Sequence, residues 1–188
     1  MRVGSSRCTP NHRCPDPAHD PARSLAPQVC HHARVAALGL QLPEAPGPKG
    51  DYVPVTIHAG VAYVSGQVYR LGDGVISGPV TDQTSPARVT QAGQTCALRA
   101  LSVLDQAVGL ENVERILFVR GFVFGGEGFQ RFSNVVDGAS QVLIDVFGEQ
   151  GRHARSAVGG RRSAVCVAGL PSGGMLELEV TAVIKTTG

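Results

Sequence analysis

The stretch Arg162-Ser-Ala-Val-Cys-Val-Ala-Gly-Leu-Pro-Ser-Gly-Gly-Met-Leu-Glu-Leu-Glu-Val180 reads as strand, turn, strand. Ser163 to Ala168 is apolar and β-prone, and Leu170-Pro171-Ser172-Gly173-Gly174 cannot continue a strand. From Met175 to Lys185 the pattern alternates: Leu176, Leu178, Val180, Ala182 and Ile184 share one face, while Glu177, Glu179 and Thr181 point the other way. Arg162 heads the incoming strand and Glu177 lies near the head of the outgoing one. With the two strands side by side, a guanidinium and a carboxylate share one end of a sheet. On these residues alone a surface ion pair worth about 0–1 kcal/mol is the better explanation.

Upstream, the pattern supplies the rest of a layered domain. Tyr52 to His58 and Val61 to Gln67 read as a hairpin turned at Ala59-Gly60, with Pro54 near an edge and Gly66 at a bulge or a close backbone approach. Ala97, Leu101, Leu104 and Val108 step by helical intervals between a Ser85-Pro86 start and Gly109. Arg115 to Phe124 is a largely buried strand. Phe132, Val136, Ala139, Leu143 and Val146 mark a second helix ending by Gly148. The spacing predicts an α+β sandwich: a mixed sheet of about six strands with two long helices on one face. The connection through the first helix is expected to make one strand pair parallel.

A short tandem repeat precedes the quoted stretch: Arg155-Ser-Ala-Val158 and Arg162-Ser-Ala-Val165, seven residues apart. An odd offset puts the two arginines on opposite faces of one continuous strand, and Gly159-Gly160 is a poor strand interior. One copy is expected to form the strand and the other to loop out. Spacing to Leu170-Pro171 favours Arg162; the preceding Gly-Arg-His-Ala favours Arg155.

Composition sets the outer limits. With 43% hydrophobic and 17% charged residues, 188 residues can bury a real core. Residues 1–33 are read as a disordered Pro/Cys/His-rich tail and 34–188 as the folded domain. The first 34 residues hold five Arg against two Asp, leaving 12 Lys+Arg against 13 Asp+Glu in the remainder. That near-neutral body, without Trp and with few other rings, gives no footprint for nucleic acid. Five cysteines and no run of ~18 apolar residues argue for a reducing cytoplasm and against a membrane partner. Cys8, His12, Cys14, Cys30, His31 and His32 lack the paired knuckles of structural zinc sites, so no metal is expected.

Taken together and in order, Tyr52, Val64-Ser-Gly-Gln67, the helix around Cys96-Ala-Leu98, Gly151-Arg-His-Ala-Arg-Ser-Ala-Val158, Arg162-Ser-Ala-Val165, Leu170-Pro171 and Leu176-Glu-Leu-Glu179 resemble the RidA (YjgF) family of imine/enamine deaminases, in its YjgF/chorismate mutase-like subgroup. The resemblance implies a chorismate-mutase-like sandwich, assembled as a homotrimer with a site in each cleft between subunits. It implies cofactor-free hydrolysis of 2-aminoacrylate and related small imino or enamino acids to 2-keto acids and ammonia. By position within the family motifs, Arg162 would clamp the substrate carboxylate and Glu177 would orient water as general acid/base. Tyr52 would close over the ligand, Gly66 would lend backbone, and the Ala164 carbonyl would help hold the water. This chain departs from the pattern in three ways: the repeat, Asp137 where the subgroup tends to show Asn (with Asn134 too early to replace it), and Gly50-Asp-Tyr-Val53 at the lid. Those departures motivate an alternative, a catalytically weak trimeric binder of small carboxylates.

Overall fold

The structure is a computed structural model that describes residues 30–69, 74, 76–159 and 167–185. Its centre is a five-stranded sheet built from β1 (Val55–His58), β2 (Val61–Val68), β3 (Val113–Val123), β4 (Ala154–Gly159) and β5 (Leu176–Ile184), in the order β1-β2-β5-β3-β4. Two long helices, α2 (Pro86–Val108) and α3 (Phe132–Phe147), cover one face, and a short α1 (His31–Ala37) docks beside them.

Local chemistry accounts for the ends of these elements. Ala59 and Gly60 both adopt positive φ (47° and 74°), the geometry of a two-residue turn matched to strand twist. Ser85 Oγ accepts the Arg88 amide and Pro86 opens α2, while Gly109 at φ 77° ends it. The expected alternation in β5 holds: Leu176, Leu178, Val180 and Ala182 are buried against the helices, and Glu177, Glu179 and Thr181 face away. Opposite them lie Cys96, Ala97, Leu101 and Leu104 of α2 and Val136, Ala139 and Leu143 of α3, all fully buried. The helices meet at two glycines. A Cβ on Gly93 would lie 2.7 Å from the Ala139 nitrogen, and one on Gly138 would lie 2.6 Å from the Thr90 carbonyl oxygen.

One expectation about topology is corrected and another falls outside what is described. β5 inserts between β2 and β3, antiparallel to both, and among the described residues β4 pairs with β3 alone, while the incoming strand expected before Leu170 begins outside the described residues. The parallel pair is β3–β4, joined through α3. The crossover through α2 links β2 to β3, which run the same way with β5 between them. The sheet has five strands because one copy of the repeat, Ala154–Gly159, supplies its edge. Residues 160–166 of the second copy, with Arg162 and Ala164, lie outside the described residues.

Candidate functional site

A single irregularity in β2 shapes the site. Val64 pairs with Val180 and Gln67 with Leu178, so β2 carries one extra residue against β5 at Ser65-Gly66. The bulge brings the Gly66 backbone against the Glu177 side chain, leaving no room for a Cβ: a side chain there would overlap the Glu177 carboxylate. Gln67 is buried, its Nε2 donating to the Ser65 carbonyl at 3.1 Å, which holds the bulge from within. Glu177 is half-buried rather than turned to open solvent. Burial, and then the negative charge of Glu179, raise its pKa above the ordinary carboxylate value.

Around this carboxylate lies a cleft of about 170 Å³, lined by Lys49, Tyr52, Gly66, Gln67, Arg99 and Glu177, with the Pro46–Pro48 segment as one wall. Tyr52 sits at its mouth, 50% exposed, its hydroxyl 3.5 Å from the Lys49 amide that donates to it. Arg99 comes from α2, on the other side of the sheet from the Glu177 strand position. Both charges act on the buried Cys96 thiol, one turn before Arg99; burial drives that thiol far above its usual pKa, so it is no nucleophile. A cation and a pKa-raised carboxyl in one small cleft can grip an anionic ligand and move a proton on it.

Arg155 is elsewhere. It pairs with Val119, which pairs with Val180, so it shares the helix-covered face, whereas Glu177 pairs with Phe122 on the open face. Its Nη1 donates to Ser140 Oγ (2.9 Å); its Nη2 donates to Ser133 Oγ (2.8 Å) and Asp137 Oδ1 (2.8 Å). His153 supports the same network: its Nδ1–H donates to the Gly151 carbonyl at 2.6 Å, which leaves Nε2 to accept from Ser140. The structure therefore brings Tyr52, Gly66 and Glu177 together and leaves Arg155 outside their cleft, its guanidinium fork filled by Asp137. The acid at position 137 pairs with Arg155 instead of facing the cleft.

Sequence reasoning missed Arg99. Its signal was present: a lone charge within Cys96-Ala-Leu-Arg-Ala-Leu101, where Cys96, Ala97, Ala100 and Leu101 are all fully buried. A cation in so nearly enclosed a turn needs a polar surface to face, and the cleft is that surface.

A helix-backed mixed sheet with one open face, and an acid set against a bulged glycine, defines a chorismate-mutase-like α+β protein. The chain belongs to the YjgF/chorismate mutase-like family, whose model, described as "YjgF/chorismate_mutase-like, putative endoribonuclease", matches residues 32–165. It is 35% identical over 161 residues to Protein TCP17 of Trypanosoma cruzi, covering 80% of this chain and 94% of that one. Among solved structures, it resembles a protein of unknown function from Agrobacterium tumefaciens (TM-score 0.71, 31% identity, 84% of this chain and 94% of the other). It also resembles a "putative endoribonuclease" from Shewanella oneidensis MR-1 (TM-score 0.74, 25% identity, 82% and 99%).

Proposed function

We propose that this protein hydrolyses small reactive enamines and imines of the 2-aminoacrylate type to 2-keto acids and ammonia, without a cofactor, in the cytoplasm. The carrying observation is Glu177: a half-buried carboxyl of raised pKa, fixed against the Gly66 backbone in a cleft that also holds Arg99. The substrate carboxylate is bound by the planar guanidinium of Arg99, which can donate two parallel hydrogen bonds. The enamine first takes a proton from solvent at its terminal carbon and becomes an iminium ion. Water then adds to the imine carbon, Glu177 accepting its proton as the new C–O bond forms. The same carboxyl returns that proton to the nitrogen, and as the C–N bond breaks the hydroxyl proton passes to the carboxylate and on to solvent, leaving ammonia and the 2-keto acid. Tyr52 closes the mouth of the cleft against bulk water. The volume, about 170 Å³, suits an acid of a few carbons rather than a polynucleotide, which argues against the nuclease wording of the family description.

The same reading includes a homotrimer with its sites between subunits, supported by a sheet face that no described element covers. A second reading, a small-carboxylate binder with little turnover, is favoured by one observation: the Arg155 fork is already occupied by Asp137. Generating 2-aminoacrylate enzymatically in the presence of the purified protein separates them. The proposal expects 2-keto acid release above the spontaneous rate, lost in Glu177→Gln and weakened chiefly through KM in Arg99→Met. Ligand protection against heat with no added turnover would establish the binder instead.

A further inference from the structure

Far from the cleft, three different ligand chemistries converge where the start of the described chain meets the body. Cys30 Sγ donates to Glu111 Oε1 at 2.8 Å, and His32 Nδ1 stands 3.1 Å from the same oxygen. The ligand atoms of Cys30, His32 and Glu111 all lie within 4.8 Å of one another. Glu111 precedes β3 by two residues, whereas the Glu177 cleft lies beside Phe122 near the other end of that strand. At ~3.4 Å per residue the two are roughly 30 Å apart along it.

The surrounding bonds prepare these atoms for a metal ion. Asp105 Oδ2 lies 3.1 Å from His32 Nε2, while its Oδ1 accepts the Leu110 amide at 2.8 Å, so the carboxylate is fixed and takes the Nε2 proton. Nδ1 donates its own proton to Glu111 Oε1 at 3.1 Å, so an ion that displaces this proton meets an imidazole already aimed at Glu111 and backed by Asp105, the carboxylate–histidine arrangement that orients metal-ligating imidazoles. Glu111 Oε2 accepts the His31 amide at 3.0 Å and Oε1 the His32 amide at 3.1 Å, which orients the group with Oε1 toward the thiol and the imidazole. Cys30 and His32 are exposed, which gives an ion a path in.

We propose that Cys30 Sγ, His32 Nδ1 and Glu111 Oε1 bind one zinc-class divalent ion, with Asp105 positioning the imidazole and water completing a tetrahedron. A sulfur, nitrogen and oxygen set suits zinc and excludes calcium and magnesium, which require oxygen. Bond lengths of about 2.0–2.3 Å place tetrahedral ligands roughly 3.3–3.7 Å apart, so the present 2.8 and 3.1 Å contacts must open by less than an ångström. The ion replaces the two protons that the thiol and His32 Nδ1 now share with Glu111 Oε1, and binding releases both to solvent. Its effect is to pin α1, whose only buried residue is Val35, to the junction between α2 and β3.

Cobalt(II) titration of the full chain tests this. The expected result is one equivalent bound, with a thiolate-to-cobalt charge-transfer band and tetrahedral d–d absorption, both displaced by zinc. Cys30→Ser abolishes the charge-transfer band, and the Cys8→Ser/Cys14→Ser double variant retains it. Asp105→Asn keeps the spectrum but weakens affinity about 10–100-fold. Zinc raises Tm in the wild type and not in Glu111→Gln, with imine hydrolysis unaffected by the ion. Absence of the band, or a band that survives Cys30→Ser and vanishes in the double variant, overturns the assignment.

Discussion

Glu177 and Gly66 form one functional unit, and each makes the other testable. The Gly66 φ is not in the left-handed region, so glycine is required there for space alone. The atoms that a new Cβ would meet belong to the movable end of the Glu177 side chain, not to backbone. Gly66→Ala is therefore expected to fold with little loss of stability while displacing the carboxylate, lowering kcat at least tenfold. Steady-state kinetics beside a melting curve checks the split; loss of both together would mean the bulge itself had collapsed. The raised pKa of Glu177 adds a second expectation. A carboxyl whose folded pKa exceeds its unfolded value, near 4.5, contributes stability that is present below that value and lost as pH rises through the folded pKa. Glu177→Gln removes the penalty of ionising a buried acid, so its Tm relative to wild type should be higher at pH 7 than at pH 4. Equal differences at both pH values would show that burial does not perturb this group. Tyr52, Gly66 and Glu177 could be named from motif spacing because each sits at a fixed offset within one strand or turn. Arg99 could not, because what turns it into a lining residue is the meeting of α2 with a bulge some thirty positions earlier in the chain.

The two long helices and β5 were readable because amphipathic periodicity is a local property, set by which face each element must bury. Strand order was not. Nothing within Leu176–Ile184 specifies that it inserts between β2 and β3, since either neighbour offers the same apolar face and free backbone groups. The repeat posed a sharper version of the problem. Two copies with identical side chains have identical propensity, and the edge position goes to the one that the α3 crossover delivers to β3 after a single short turn at Gly148–Gly151. Helix contact was likewise invisible in propensity, which counts Gly93 and Gly138 as weaknesses of about 1 kcal/mol each. In the fold they let two backbones touch. Gly138→Ala should destabilise by about 1–2 kcal/mol, overpacking against the Thr90 backbone outweighing the gain in helix propensity. Urea denaturation measures this. Adding Gly93→Ala should cost less than the sum of the single changes, because helices already pushed apart accommodate the second methyl.

For the molecule as a whole, the open face of the sheet poses the remaining question. Tyr63, 53% exposed, pairs with Thr181, which in turn pairs with Phe118. Beside them Arg120 donates to Glu179 at 2.8 Å and lies 5.6 Å over the Phe118 ring. No described element covers this antiparallel surface, and its exposed rings suit a contact with another copy, the Arg120–Glu179 pair lying beside them. The placement of Arg155 ties such an interface to catalysis in a way that can be tested. Within one copy it stands on the opposite face from Glu177, on the edge strand, so only a neighbouring copy could carry it to a Glu177 cleft. The expected particle sediments at three times the 19.6 kDa chain mass. Tyr63→Glu, which sets a charge in the middle of the face, should yield monomers with an unchanged far-ultraviolet spectrum. If each site draws on its neighbour, those monomers lose imine hydrolysis although Arg99, Gly66 and Glu177 are intact. Fully active monomers would instead show that Arg99 and Glu177 suffice, and that Arg155 with its Asp137 partner serves only to tie β4 to α3.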